Sequence, residues 1–305
     1  MKLKNLLLLL LLATLWGPSF LFIKIALEDI TPITLAAWRI GIAAIVLNGL
    51  LFIKKYEFNR SWRFWKHVTI VGFVAHALPF ALINWGEQYI DSSIASILNG
   101  LTPLCTVLIA NFTLADEKMT AEKIVGTVLG FIGLVIIASP DFSSELSNSL
   151  LGVIAVATAA LSYGVAIIYS RIHLMKEKPL YAPASQLLVT SLYLIPFAYF
   201  VEGSVNPATV SFEAFGALLV LGVFGTAIAF VIYYRVLSSS SASYLSMVTY
   251  LMPIFGIALG TIFLNEVLSY EAIIGAVMIV MGIMIANRVF SGLVQNINER
   301  IKSAS

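Results

Sequence analysis

Apolar residues fill the chain in long runs, and short polar stretches break them at intervals. The runs predict ten helices, at about 5–25, 33–53, 67–87, 92–114, 121–139, 149–171, 181–201, 212–236, 241–264 and 271–290. Each is long enough to cross roughly 30 Å of hydrocarbon at about 1.5 Å per residue. The expected fold class is therefore an all-α membrane protein with ten transmembrane helices. The least apolar break, at residues 139–149, falls between the fifth and sixth helices. Lys2 and Lys4 ahead of a leucine run resemble the start of a secretory signal. No small-residue cleavage site follows, and the apolar stretch continues through Trp16 to Ile25, so an uncleaved first helix is expected.

The pattern occurs twice. Residues 80–111 and 230–261 each end one apolar helix, turn through small polar residues and begin another helix containing a proline. At an offset of 150, Phe80 falls on Phe230, Ser93 on Ser243, Ser96 on Ser246, Leu101 on Leu251 and Pro103 on Pro253. At 147, Trp16-Gly17 falls on Tyr163-Gly164, Lys24 on Arg171, Pro32 on Pro179 and Arg39 on Gln186. At 149, Glu117 falls on Glu266, Glu122 on Glu271, Gly126 on Gly275 and Gly133 on Gly282. The halves are expected at 1–143 and 144–305, the second with a short cytoplasmic tail. Five helices per half is an odd number, so the second copy enters the membrane from the opposite side. Such inverted repeats exchange inward-open and outward-open states around a shared site near the midplane.

Composition supports the membrane assignment. The 305 residues are 60% hydrophobic and 11% charged, with a mean hydropathy of +0.96, which leaves no room for a soluble catalytic domain. The single cysteine, Cys105, lies in an apolar helix and excludes a disulfide framework or a CxxC metal site. Charge distribution says more than the net +2. With the N-terminus in the cytoplasm, every Lys and Arg except Lys24 and Arg39 falls on the cytoplasmic side, and the outer loops carry only acids. That bias places both termini inside.

Over about residues 6–288 the chain resembles the drug/metabolite transporter superfamily, of the EamA type with ten helices. The resemblance is carried by WGPSFLFIK at 16–24, Trp38-Arg39, ALINWGEQYI…ASILNGLTPL at 81–104, and the glutamate-to-glycine segments at 117–133 and 266–282. It implies a 5+5 inverted repeat, a central cavity and movement of small metabolites, commonly the export of amino acids or related compounds. A bacterial inner (plasma) membrane location is expected.

Polar residues inside the helices are the candidate site. Arg39 costs a few kcal/mol or more at membrane depth unless paired or hydrated. It is read either as a cation for a substrate carboxylate or a helix-terminal carbonyl cluster, or as a structural ion pair or a group snorkelling toward Asp29 or Glu28. Lys24 faces the same choice, with anchoring favoured. His76 is either a proton-coupling group or a neutral, hydrogen-bonded bundle histidine. Asn84 and Asn99 flank the repeated turn, and their amides suit a zwitterionic solute. Trp16, Phe20, Trp38, Tyr163, Tyr233 and Tyr250 supply aromatic faces, and Gln186 is the repeat mate of Arg39. Pro103 and Pro253 are expected kinks or gating points inside their helices. Glu117 and Glu266 read as turn architecture ahead of the N-cap residues Thr120 and Ser269. Gly126-x-x-x-Gly130 suits either packing within the bundle or a homodimer.

The expected function is a secondary transporter exporting small polar metabolites, amino acids or analogues, in contact with membrane lipid. The alternative is uptake or exchange of a larger metabolite such as a nucleotide derivative. A membrane sensor or scaffold ranks lower, as does an intramembrane enzyme, since HExxH and paired membrane aspartates are absent. No Walker sequence is present, so ATP is not the direct energy source. Neither cofactor, metal nor nucleic acid is expected. Glu87 and Asp91 in the first turn face Leu237 and Ser241 in the second, so pH dependence is expected at the outer copy.

Overall fold

The computed structural model describes residues 3–56, 61–114, 119–138, 148–240 and 245–286. Ten helical spans match the ten apolar runs. The first is α1 (Leu3–Trp16) with α2 (Ser19–Ala26), and the second is α3 (Pro32–Ile53). The third joins α4 (Trp62–Gly72) to α5 (Leu78–Gly86), and the fourth joins α6 (Ser92–Asn99) to α7 (Thr102–Thr113). Next come α8 (Ala121–Ala138), α9 (Asn148–His173) and α10 (Tyr181–Glu202) as the fifth, sixth and seventh. The eighth joins α11 (Phe212–Gly222) to α12 (Ala229–Leu237). The ninth ends in α13 (Met252–Leu264), and the tenth is α14 (Tyr270–Ala286). Seven spans are long and apolar enough to cross a membrane, and the last two contain shorter apolar helices. Large side chains such as Ile45, Phe52, Phe112 and Phe200 point outward and exposed, which suits a perimeter solvated by lipid tails.

The third span starts at Trp62, about five residues before the sequence-based boundary, because Phe64 is buried against Tyr181 with ring centroids 5.2 Å apart. The expected boundary between halves at residues 143 and 144, the start of the ninth span at 241–244, Glu117 and the cytoplasmic tail lie outside the described residues.

Pro103 and Pro253 do not sit inside continuous helices. The fourth span breaks at Gly100-Leu101, and Pro103 stands in the first turn of α7. The ninth contains a 3-10 turn (Met247–Tyr250), and Pro253 stands in the first turn of α13. A proline in a first turn sacrifices a donor that has no intrahelical partner anyway, so the backbone restarts where the sequence alone suggested a kink. Pro18 marks a similar break between α1 and α2, whereas α9 runs unbroken through the equivalent Val165.

Packing repeats with the sequence. A Cβ at Gly17 would overlap the Phe255 ring, and one at Gly164 would come within 3.0 Å of the Cys105 Cβ. These two contacts are the same contact in each half, since Gly17 corresponds to Gly164 and Cys105 to Phe255. The fifth and tenth spans close against each other through glycines. A Cβ on Gly133 would meet the Gly275 carbonyl at 2.6 Å, and one on Gly282 would strike the backbone of Gly126 and Gly130. The GxxxG stripe is therefore used inside the bundle.

Third and eighth spans each carry a π-helical segment at the same repeat position, Phe73–Ala77 and Val223–Ile228. Pro79 follows the first, but Ala229 follows the second, so proline is not the common cause. The wider turn frees carbonyls that need other donors. Ser162 from α9 donates to the Val74 carbonyl at 2.7 Å, Trp16 Nε1 donates to the Gly225 carbonyl at 3.0 Å, and Thr226 Oγ1 donates to the Leu221 carbonyl at 2.8 Å.

Acids cap helices at one end of the bundle, called the acidic end below. Glu202 accepts from the backbone N–H of Ile33 and Thr34 at 2.9 and 2.8 Å, capping α3. Asp29 accepts from the Ser211 backbone at 2.8 Å and from its hydroxyl, ahead of α11. Glu266 accepts from the N–H of Ser92 and Ser93 at 2.8 and 3.0 Å and from the Ser93 hydroxyl, capping α6. All three caps join one half to the other, and each places a carboxylate where helix donors and dipole favour it.

Candidate functional site

Between the halves, residues of the first, second, third, fourth, sixth, eighth and ninth spans line a cavity of about 810 Å³, counting the space at its mouth. Trp16, Phe20, Phe80, Tyr163, Phe230 and Tyr233 form its aromatic wall. Trp16 lies edge-on to Phe230 at 5.6 Å and tilted to Tyr233 at 6.0 Å. Its indole N–H is committed to Gly225, so the ring works as a wall. An apolar, aromatic lining with a few placed polar groups suits a small organic solute.

Arg39 is the cation of this cavity. It is 5% exposed. Its Nε donates to Thr226 Oγ1 at 2.7 Å, its Nη2 donates to the Gly225 carbonyl at 3.3 Å, and the guanidinium lies 4.1 Å from the centroid of Phe80. Neither Asp29 nor Glu28 pairs with it, since Asp29 holds Ser211. Among the described residues no carboxylate bonds to Arg39. The π-helical turn thus provides both acceptors, and Phe80 provides a polarisable face, leaving further N–H groups for a ligand.

Two amides face the same space. Asn84 donates to the Pro32 carbonyl at 2.9 Å, and Asn99 donates to Met252 Sδ at 3.1 Å. Their Oδ1 atoms are buried without a hydrogen-bond partner, as is Ser19 Oγ. Orphaned acceptors lining a cavity are points where a ligand donor is favoured, because leaving them bare costs about 1–3 kcal/mol each.

The cavity does not take in every candidate from the sequence. Trp38 is half-buried and does not line it, packing against the buried cluster that includes Leu35, Leu218 and Leu221. His76 and Gln186 are fully buried behind the wall. His76 Nε2 lies 3.2 Å from Gln186 Oε1, Gln186 Nε2 donates to the Tyr234 hydroxyl, and Tyr234 donates to Ser170 at 3.4 Å. The His76 ring meets Phe230 edge-on at 4.4 Å. These residues support the wall and do not form it. The Tyr250 side chain lies outside what is described. Lys24 is an anchor: its ammonium donates to the Ile90 carbonyl at 2.9 Å and to the Glu87 carbonyl, capping α5 at the acidic end.

Sequence reasoning missed Phe80, Phe230, Thr102 and Thr226. The first two were visible as a repeated aromatic pair, and Thr226 is the repeat mate of His76. Pairing each polar membrane residue with its repeat mate would have found it.

An all-helical bundle with lipid-facing sides, glycine-seated inverted halves and a cavity between them defines a polytopic membrane carrier. The chain belongs to the EamA-like transporter family, whose profile matches residues 3–139 and again 150–288. It is 28% identical over 276 residues to the Bacillus subtilis uncharacterized transporter YoaV, covering 90% of this chain and 94% of that one. An uncharacterized transporter of Archaeoglobus fulgidus is 26% identical over 90% of this chain and 95% of its own length. Protein PagO of Salmonella typhimurium is 23% identical, covering 88% of each chain. One solved crystal structure superposes with a TM-score of 0.69 at 20% identity, over 95% of this chain and 99% of the other, and so shares the fold.

Proposed function

We propose that the protein is a secondary carrier that exports zwitterionic metabolites, amino acids or close analogues, by alternating access around the Arg39 cavity. One arrangement carries the reading: a buried guanidinium with free donors shares an aromatic-walled cavity with the orphaned Asn84 and Asn99 carbonyl oxygens. Arg39 takes the substrate carboxylate, the two amide oxygens take its ammonium, and the aromatic wall takes an apolar side chain. Each charged end is matched without burying an acid beside the arginine.

Arg39 is the one cation among the described lining residues, and Lys24 is committed to backbone carbonyls. A polyanion such as a nucleotide derivative therefore lacks the positive charge it needs. The basic bias of the loops opposite the acidic end supports a bacterial plasma membrane location with both termini in the cytoplasm.

The test is counterflow in proteoliposomes with labelled amino acids. Saturable exchange should fall about 10- to 100-fold in Arg39→Gln, the loss expected for a charge-assisted hydrogen bond. Failure of the unaltered protein to exchange any amino acid would overturn the substrate assignment.

A further inference from the structure

Glu87, at the acidic end, has a carboxyl that caps no helix. It is completely buried, and both carboxyl oxygens lack a hydrogen-bond partner. It stands at the C-terminal end of α5, where backbone carbonyls already concentrate negative charge. Three acids of this end are arranged differently: Glu202, Asp29 and Glu266 each receive backbone N–H groups at helix starts.

Charges face Glu87 from several elements. Lys24 on α2 donates to the Glu87 main-chain carbonyl and to Ile90, and not to the carboxyl. Arg39 on α3 is held by Thr226 and Gly225. Glu266, in the connection from α13 to α14, adds a like charge. Asp91 follows on the same turn and is half-buried. From α9, Gly152, Ala155 and Val156 pack against the neighbouring Gly86, and none of them is titratable. An ionised carboxylate here would be buried without a single donor, whereas a carboxylic acid loses far less.

We propose that Glu87 is a proton-carrying site that couples substrate movement to proton exchange. The inference rests on the carrier reading above. Burial without a donor favours the neutral form of the Glu87 carboxyl. Its place links it to the cavity: Ile83 and Asn84, one turn earlier on α5, line the cavity, as do Phe20, one turn before Lys24 on α2, and Ile23 next to it. Opening the acidic end separates α2 from α5, strips Lys24 from its carbonyls and admits water. The carboxylate exposed there takes a proton from that water, forming the carboxyl O–H bond, and closing buries the neutral acid. When the opposite end opens, that O–H bond breaks, the proton passes through cavity water to the other side and the electron pair stays on the carboxylate, so one proton crosses against the exported substrate. The repeat mate, Leu237, is buried and apolar, so the equivalent position of the other half holds no acid.

Infrared spectroscopy of the substrate-free protein in lipid tests the site directly. At neutral pH the protein should show the carbonyl stretch of a protonated carboxylic acid. Glu87→Gln should lose it, Glu87→Asp should shift it, and Asp91→Asn should keep it. Absence of any Glu87-dependent acid band at neutral pH overturns the proposal. The second arm uses proteoliposomes exchanging a labelled amino acid under an imposed pH gradient. Glu87→Gln should keep counterflow but lose its acceleration by the gradient; acceleration that survives in Glu87→Gln also overturns the coupling. If the unaltered protein carries no amino acid, the substrate assignment fails, and the infrared arm still decides the proton site.

Discussion

Arg39 reaches across to Thr226 at 2.7 Å, and the same bond exists in inverted form, because Gln186 and His76 stand at the equivalent positions 3.2 Å apart. Second and third spans of one half thus meet seventh and eighth spans of the other through two related polar pairs. Each pair ends on, or directly beside, a π-helical turn. The pairs differ in chemistry. One contains a permanent cation and opens onto the cavity, and the other is a neutral network behind it.

That difference separates two substitutions. Thr226→Val keeps shape but removes the acceptor of Arg39 Nε, so the guanidinium loses its seat at the cavity wall. Stability should fall by about 1–3 kcal/mol, and the apparent KM for substrate should rise several-fold. Gln186→Leu also leaves two buried partners bare, His76 and the Tyr234 hydroxyl, and should lower stability by a similar amount. Because Gln186 does not line the cavity, its KM should stay close to that of the unaltered protein. Thermal unfolding in detergent and concentration-dependent counterflow measure the two effects separately.

Charge alone does not account for Arg39. Its Nε and Nη2 reach two different acceptors from one planar group while the face rests on Phe80. A lysine ammonium cannot reproduce that fork. Arg39→Lys should therefore retain measurable exchange but with an apparent affinity about 10-fold weaker, and Phe80→Ala should weaken it as well by removing the cation–π contact. Equal transport by Arg39→Lys would show that only net positive charge matters there.

Much of the fold was legible because hydrophobic length and charge bias act over whole helices. Ten runs became ten spans, and offsets near 150 became real inverted contacts such as Gly17 with Phe255 and Gly164 with Cys105. Local backbone was harder. Nothing in FVAHA or VFGTAI announces a π-helical turn, since its stabilisation comes from Ser162, Trp16 and Arg39 in distant spans. The cavity was half-legible for a related reason. Residue type marked Arg39, Asn84 and Asn99, but helical rotation decided that Trp38 would turn away while its neighbour Arg39 turned in. Glu266 looked like turn architecture, and it is that, but for α6 of the other half.

Glycines of the fifth and tenth spans give a prediction that leaves the cavity alone. A Cβ on Gly275 would lie 2.5 Å from the Gly133 carbonyl and against Ile137. Backbone cannot yield as a side-chain tip can, so Gly275→Ala should force α8 and α14 apart and cost about 1–3 kcal/mol. Thermal unfolding should report the loss with KM and oligomeric state unchanged. A change in oligomeric state would assign the stripe to contacts between copies.

Glu266 supplies the pH-dependent case. It accepts three hydrogen bonds at the start of α6, and its carboxylate sits outside the membrane-spanning helices. Burial pushes its carboxyl up, but the bonds from Ser93 and Ser92 outweigh this and hold it below the ordinary value. A group depressed in the folded state favours folding at every pH above its unfolded value, and the benefit disappears as pH falls through the folded value. Glu266→Gln keeps an acceptor but loses the charge, so it should unfold at a lower temperature at neutral pH, by about 1–2 kcal/mol. As pH falls through that depressed folded value the unaltered protein should lose that advantage and the two melting curves converge. Parallel curves down to that pH would mean that the cap does not depend on charge. Because this cap ties the fourth span to the ninth–tenth connection, the same substitution should also loosen the acidic end. Hydrogen exchange at the Ser92 and Ser93 amides should then rise in Glu266→Gln before any other part of α6 responds.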